Sequence, residues 1–171
     1  MIDFMILGAP RSGTTWAANW LTTDTTVCVH DPLRLYALDV VNHIPTGGKK
    51  LGVSCTALPL FPDFVNSHPS PKVILHRPLA EVNQSLEALG LSGLSSEWEG
   101  KLEDLVGWHV PYQYIFEPDM AKKLYEYLLD RPFDYQRHQL LREMQIEPDI
   151  ANVVHNPDAV RRVVQQLQGG A

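Results

Sequence analysis

Cysteine is scarce: Cys28 and Cys55 are the only two in 171 residues. Two thiols make no disulfide framework, and nothing in the sequence dictates that they pair. No apolar run approaches the roughly 18 to 20 residues that a membrane-spanning helix needs. The first residues, Met1-Ile2-Asp3-Phe4, carry no basic segment and pass directly into an apolar run, so a secretory signal is not expected. A soluble, cytoplasmic protein in a reducing setting is the simplest expectation, with no membrane partner. Positive charge is also short, since 14 Lys and Arg stand against 20 Asp and Glu for a formal net charge of −6. That balance argues against nucleic acid as a partner, because broad polyanion binding needs a basic face. A small anion is still permitted, since a local cluster of donors can hold one within an acidic protein. The seven histidines are scattered without zinc-ligand spacing, so no metal is expected.

What remains is ordinary globular composition, 44% hydrophobic and 20% charged, at a length that suits a single domain over residues 1–171. In the first half, short apolar runs alternate with amphipathic segments. Phe4-Met5-Ile6-Leu7, Val27-Cys28-Val29, Leu51-Gly52-Val53 and Val73-Ile74-Leu75 read as strands, with helical candidates after the first and at about 33–43 and 58–67 between the others. Strands separated by helices require crossovers and hence a parallel sheet. The second half reads as helical. Leu79, Val82, Leu86 and Leu89 repeat at helical spacing up to Gly90, and Ser96 with Glu99 forms a possible capping box ahead of Leu102, Leu105 and Val106. Further helices are expected around Met120, Leu124 and Leu128, around Leu140, Leu141 and Met144, and from Asn156-Pro157 through Leu167. The expected fold is α/β, three layers around a central parallel sheet, with a helical C-terminal part.

The chemistry concentrates in Gly8-Ala9-Pro10-Arg11-Ser12-Gly13-Thr14-Thr15, between the first strand and its helix. Backbone N–H groups in such a loop, together with the positive end of the following helix, favour an anion. Ser12, Thr14 and Thr15 add hydroxyl donors, and Gly13 permits the tight path. The GxxxxG spacing is that of a nucleotide-binding phosphate loop, but Thr14 stands where its lysine belongs. Arg11 is the available replacement, always charged and rich in fixed donors. The same composition also suits a plain surface turn.

Pro10-Arg11-Ser12-Gly13-Thr14-Thr15-Trp16 resembles the 5′-phosphosulfate loop of the sulfotransferase family, P-[KR]-S-G-T-T-[WL]. A second family signature is an arginine at the end of a later strand with a serine eight residues on. Val73-Ile74-Leu75-His76 leads to Arg77, and Ser85 follows at that spacing. The resemblance spans about residues 4–90, and it implies a P-loop fold, close to that of the P-loop nucleoside triphosphatases, and 3′-phosphoadenosine-5′-phosphosulfate as cofactor. Ser12, Gly13, Thr14 and Thr15 would cradle the 5′-phosphosulfate, Arg11 would stabilise the leaving side, and Arg77 and Ser85 would hold the 3′-phosphate. Where the family shows R-[DN]-P-x-[DE], the chain has Arg77-Pro78-Leu79-Ala80-Glu81, which keeps the acid and moves the proline. The implied activity is sulfuryl transfer to a hydroxyl or amine of a carbohydrate or small metabolite.

Such a transfer needs a base for the acceptor proton. His30 and Asp31 close the second strand just before Pro32, at the sheet edge where ligands of α/β proteins sit, and Asp31 is the narrow first choice over His30. Asp-Pro is equally a turn or a helix cap. His76 and His109 read as packing or hydrogen-bonding groups, the four tryptophans as core or partly buried rather than as an acceptor cleft, and the pairs Lys49-Lys50, Lys122-Lys123 and Arg161-Arg162 as solvated surface. Two other classes fit the same loop. One is a variant P-loop kinase, for which Val27–Asp31 would be a magnesium-holding strand. The other is a nucleotide-binding module without chemistry.

Overall fold

The computed structural model describes residues 1–144, so the helix expected after Asn156 and the Arg161-Arg162 pair lie outside the described residues. Five strands form one sheet, all parallel: β1 (Ile2–Gly8), β2 (Thr26–His30), β3 (Lys50–Cys55), β4 (Lys72–His76) and β5 (Trp108–Pro111). Their spatial order is β2-β3-β1-β4-β5. The helices are α1 (Thr14–Leu21), α2 (Pro62–Ser67), α3 (Leu79–Glu87), α4 (Glu97–Glu103), α5 (Pro118–Leu129) and α6 (Tyr135–Glu143).

Strand side chains alternate between the two faces of a sheet, and β1 is apolar on both. Phe4 and Ile6 join Trp16, Trp20, Leu124 and Leu141, so α1, α5 and α6 cover that face. Met5 and Leu7 join Val65, Val82, Leu86 and Leu102, so α2, α3 and α4 cover the other. The α/β expectation with a parallel sheet therefore holds for the described residues, and helices pack on both faces. None of the described helices is long and apolar enough to cross a membrane.

Four expectations fail in whole or, at 58–67, in part, each for a local reason. The span 33–43 is not a helix but two single 3-10 turns, Pro32–Arg34 and Val41–His43. Its apolar residues do not share a face, since Val41 is fully buried while Leu35 and Val40 are exposed. The span 58–67 is a turn at Leu58–Leu60 followed by α2, because Pro62 has no N–H to continue a helix and instead begins one. Ser96 does not cap α4, since its side chain accepts no capping bond, and α4 stops before Leu105 and the exposed Val106. Finally, Trp108–Pro111 is an edge strand in a stretch expected to be helical. Gly90 does follow α3, at φ +71°, and the Leu91 N–H bonds back to the Leu86 carbonyl, as helix-ending glycines do.

Gly52 marks the tightest place in the sheet. It pairs with Phe4 across the β1–β3 ladder, and a Cβ there would fall 2.0 Å from the Phe4 ring. That ring is fully buried, so making room for a Cβ means shifting core neighbours. Gly52→Ala is therefore expected to destabilise the fold by about 1–3 kcal/mol, the usual cost of overpacking a core. Urea unfolding measures it, and an unchanged midpoint would contradict the packing described.

Candidate functional site

The strand order sets where a ligand crevice opens. From β1 the chain crosses by way of α1 to β2 on one side, whereas from β4 it crosses by way of α3 and α4 to β5 on the other. β1 and β4 are neighbours, so the loops leaving their carboxyl ends diverge and leave a cleft between them. Open α/β sheets bind ligands at such a switch point. The two loops are Gly8–Gly13 and His76–Pro78, the ones that carry the sequence signatures.

Arg11 has a left-handed backbone at φ +66°, which costs a non-glycine residue about 1–3 kcal/mol. Arg77, arriving from β4, offsets this by donating from Nη1 to the Arg11 carbonyl. Arg11 in turn donates from Nε to the Ser85 hydroxyl on α3 at 2.9 Å. The structure thus brings together Arg11, Arg77 and Ser85, which are separated by up to 74 residues in sequence. A guanidinium has five N–H donors, and both arginines retain unengaged Nη donors among the described residues.

Gly13 begins α1 at φ +81°, where a Cβ would strike Ile115 at 2.8 Å. Helix α1 has no side-chain cap and no acid in its first turn, so its first amides keep their capacity for an anion. The Ser12 hydroxyl lies buried in the loop with no hydrogen-bond partner among the described residues. An unmet buried hydroxyl costs about 1–3 kcal/mol, so the loop is not built for its own stability alone. Ser54 on β3 donates to the Thr14 carbonyl at 2.7 Å and fixes the start of α1 against the sheet.

His30 and Asp31 lie on the β2 side of the same loop. His30 Nε2 is 3.3 Å from the Thr14 hydroxyl, 3.2 Å from the Thr15 hydroxyl and 3.5 Å from Asp31 Oδ2. The Asp31 Oδ1 atom accepts from the Thr56 backbone N–H at 2.7 Å and from its hydroxyl at 3.0 Å. The Asp31 side chain is 8% exposed and that of His30 28%. Asp31 is thus bonded through Oδ1, and His30 is the more exposed of the two and within reach of the loop hydroxyls. Burial lowers the His30 pKa below 6.5, Asp31 partly restores it, and Arg34 lowers it again. The ring is thus neutral at pH 7 and able to accept a proton.

Asp31 also does not start the expected helix, since it sits at φ +44° and opens only a single turn. His76 and His109 pair with each other. His109 Nε2 donates to the Leu105 carbonyl at 2.8 Å, which leaves its Nδ1 to accept from His76 Nε2 at 2.8 Å. Trp16 and Trp20 are core, with ring centres 5.4 Å apart. Among the described residues no cluster of three or more His, Cys, Asp or Glu could hold a metal.

Sequence reading passed over Thr56 and Tyr112. Thr56 follows β3 directly, so the rule that ligands gather at the carboxyl ends of parallel strands was the signal for it. Tyr112 follows β5, a strand not expected, so no comparable signal existed. Compared with known proteins, the chain matches no protein-family model and no curated protein.

The lowered His30 pKa has a consequence for stability. Below pH 6.5 the unfolded chain takes up this proton before the folded one, so His30 contributes stability that is present near neutrality. It is lost as pH falls from about 6.5 through the folded pKa. His30→Gln is expected to lose less stability between pH 7 and 5 than the parent, as read from denaturation midpoints. A ring-proton NMR titration of His30 centred at or above 6.5 would contradict this environment.

Proposed function

We propose that the chain is a sulfotransferase that moves a sulfuryl group from 3′-phosphoadenosine-5′-phosphosulfate to a hydroxyl or amine of a carbohydrate or small metabolite. The observation that carries this reading is the meeting of Arg11, Arg77 and Ser85 at the β1–β4 switch point. Two short signatures, far apart in the chain, converge on one cleft as a two-anion ligand requires. The donor set suits such a ligand, with arginine donors, an uncapped helix start and the unpartnered Ser12 hydroxyl.

In this reading the amides and hydroxyls of Ser12, Gly13, Thr14 and Thr15 hold the 5′-phosphosulfate. Arg77 and Ser85 hold the 3′-phosphate, and Arg11 offers its free Nη groups to the charge that develops on the leaving side. When bound, the cofactor supplies an activated sulfuryl group whose bond to the 5′-phosphate breaks as its bond to the acceptor forms. His30 Nε2 takes the proton from the acceptor hydroxyl or amine. Asp31 Oδ2 lies 3.5 Å from Nε2 and stabilises the imidazolium once that proton has arrived, while Thr56 holds Asp31 through Oδ1. Nε2 lies 3.3 and 3.2 Å from the Thr14 and Thr15 hydroxyls, so the ring borders the loop that would hold the phosphosulfate.

The reading places the protein in the cytoplasm, in keeping with Cys28 and Cys55, both free and buried. Burial pushes the Cys55 thiol up to about 11, so it is a poor nucleophile at neutral pH.

Calorimetric titration tests the cofactor. Adenosine 3′,5′-bisphosphate should bind without metal and more tightly than 5′-AMP or magnesium ATP. A clear preference for magnesium ATP would overturn the proposal in favour of a kinase. Arg77→Ala should weaken bisphosphate binding about 10- to 100-fold, the worth of one or two charge-assisted hydrogen bonds.

Transfer of labelled sulfate tests the chemistry. His30→Ala should lower kcat by about 10²- to 10⁴-fold, the range of general-base catalysis, and leave bisphosphate affinity unchanged. Full activity in that variant would remove His30 from the reaction. No transfer by the parent chain across a broad acceptor panel, despite tight binding, would make it a binding module.

A further inference from the structure

Arg77 is restrained on three sides. Its Nε donates to Glu81 Oε2 at 3.2 Å, its Nη1 donates to the Arg11 carbonyl, and its guanidinium carbon lies 4.7 Å from the centre of the Tyr112 ring. Tyr112 also donates its hydroxyl to the same Glu81 oxygen at 3.3 Å. Arginine, acid and phenol therefore close a triangle drawn from β4, α3 and the segment after β5.

The ion pair alone does not explain that order. Glu81 is 44% exposed, and an i,i+4 pair this open contributes little and samples several conformers. The phenol hydroxyl removes that freedom by holding the carboxylate from a third element. The ring adds a cation–π contact and shields one face of the guanidinium, which leaves Nη2, on the same edge as the bonded Nη1, for a ligand. That edge is the one already bonded to the left-handed residue of the glycine loop. Whatever fixes Arg77 fixes the separation between the loop and the second anion site.

We propose that Glu81 and Tyr112 are positioning residues that lock Arg77 to the glycine loop, so that the cleft is a rigid receptor selecting ligands with two anionic groups at one separation. The proposal rests on the bisphosphate reading given above. It predicts a split between ligands: loss of the lock weakens a two-phosphate ligand well beyond a one-phosphate ligand, which meets the loop but not the second anion site. A general loss of stability would weaken both.

Titration of the full chain with adenosine 3′,5′-bisphosphate and with 5′-AMP tests this in Glu81→Gln, Tyr112→Leu and Tyr112→Phe. The first two should lose about tenfold in affinity for the bisphosphate, the scale of one cation–π or charge-assisted contact, while 5′-AMP changes less than about twofold. Tyr112→Phe, which keeps the ring, should recover part of the loss. Equal losses for both ligands, or none for either, would overturn the proposal.

A parent chain with no preference for the bisphosphate would end the sulfotransferase reading, and amide hydrogen exchange at residues 9–13 then decides the lock by itself. Faster exchange in Tyr112→Leu than in Tyr112→Phe, at equal global stability, supports it. Unchanged exchange in Tyr112→Leu and Glu81→Gln refutes it.

Discussion

The structure depends first on the double pairing of β1. This strand lies between β3 and β4 and hydrogen-bonds to both in parallel register. Parallel neighbours cannot be joined by tight turns, so each strand must leave through a crossover on one face or the other. With β1 central, the crossover from it and the crossover from β4 run to opposite sides. The cleft follows from that divergence, and so do two apolar clusters on opposite faces. Phe4, Met5, Ile6 and Leu7 are all fully buried for the same reason.

The cleft is polar within an acidic chain, and its cationic groups are held by contacts that also restrain them. Arg11 and Arg77 are tied to each other through a backbone carbonyl, and each is tied again to α3, through Ser85 and Glu81. The loop carries a left-handed arginine and an unpartnered buried hydroxyl, both unfavourable for folding. Strain of this kind persists only where surrounding structure over-determines it. Here that structure includes the Ser54 bond to the Thr14 carbonyl and the packing of Ile115 and Phe116 over Gly13. On the far side, His30 and Asp31 are organised the same way, by hydroxyls from α1 and from the residue after β3.

Strands β1 to β4 were legible because each carries a short run of apolar residues. β5 was not, since of Trp108, His109, Val110 and Pro111 only Val110 is buried, which leaves no apolar run to read. The segment 33–43 misled in the opposite sense. It is rich in Leu, Tyr and Val, but its buried members serve as isolated plugs, as Val41 does, and no periodicity supports a helix. Within the site, Arg11 and the loop hydroxyls were visible from local pattern, and Arg77 with Ser85 from their spacing. Tyr112 was invisible because its partner lies 31 residues away on another element.

By itself, the sequence determined the alternation of strands and helices, the glycine loop between β1 and α1, and the arginine at the end of β4. These are local matters, governed by side-chain periodicity and by which residues tolerate a tight turn. Only the tertiary structure decided that the loop and the arginine share one cleft, because strand order is set by packing across the sheet and not by neighbours in the chain. It also set apart the surroundings of His30 and Asp31, adjacent residues between which the sequence narrowly favoured Asp31. Burial and the bond to Thr56 engage the carboxylate, while the turn at Asp31 leaves the imidazole facing the loop. The net charge of −6 thus said little about the ligand, because a few donors placed by the fold outweigh a total spread over the surface.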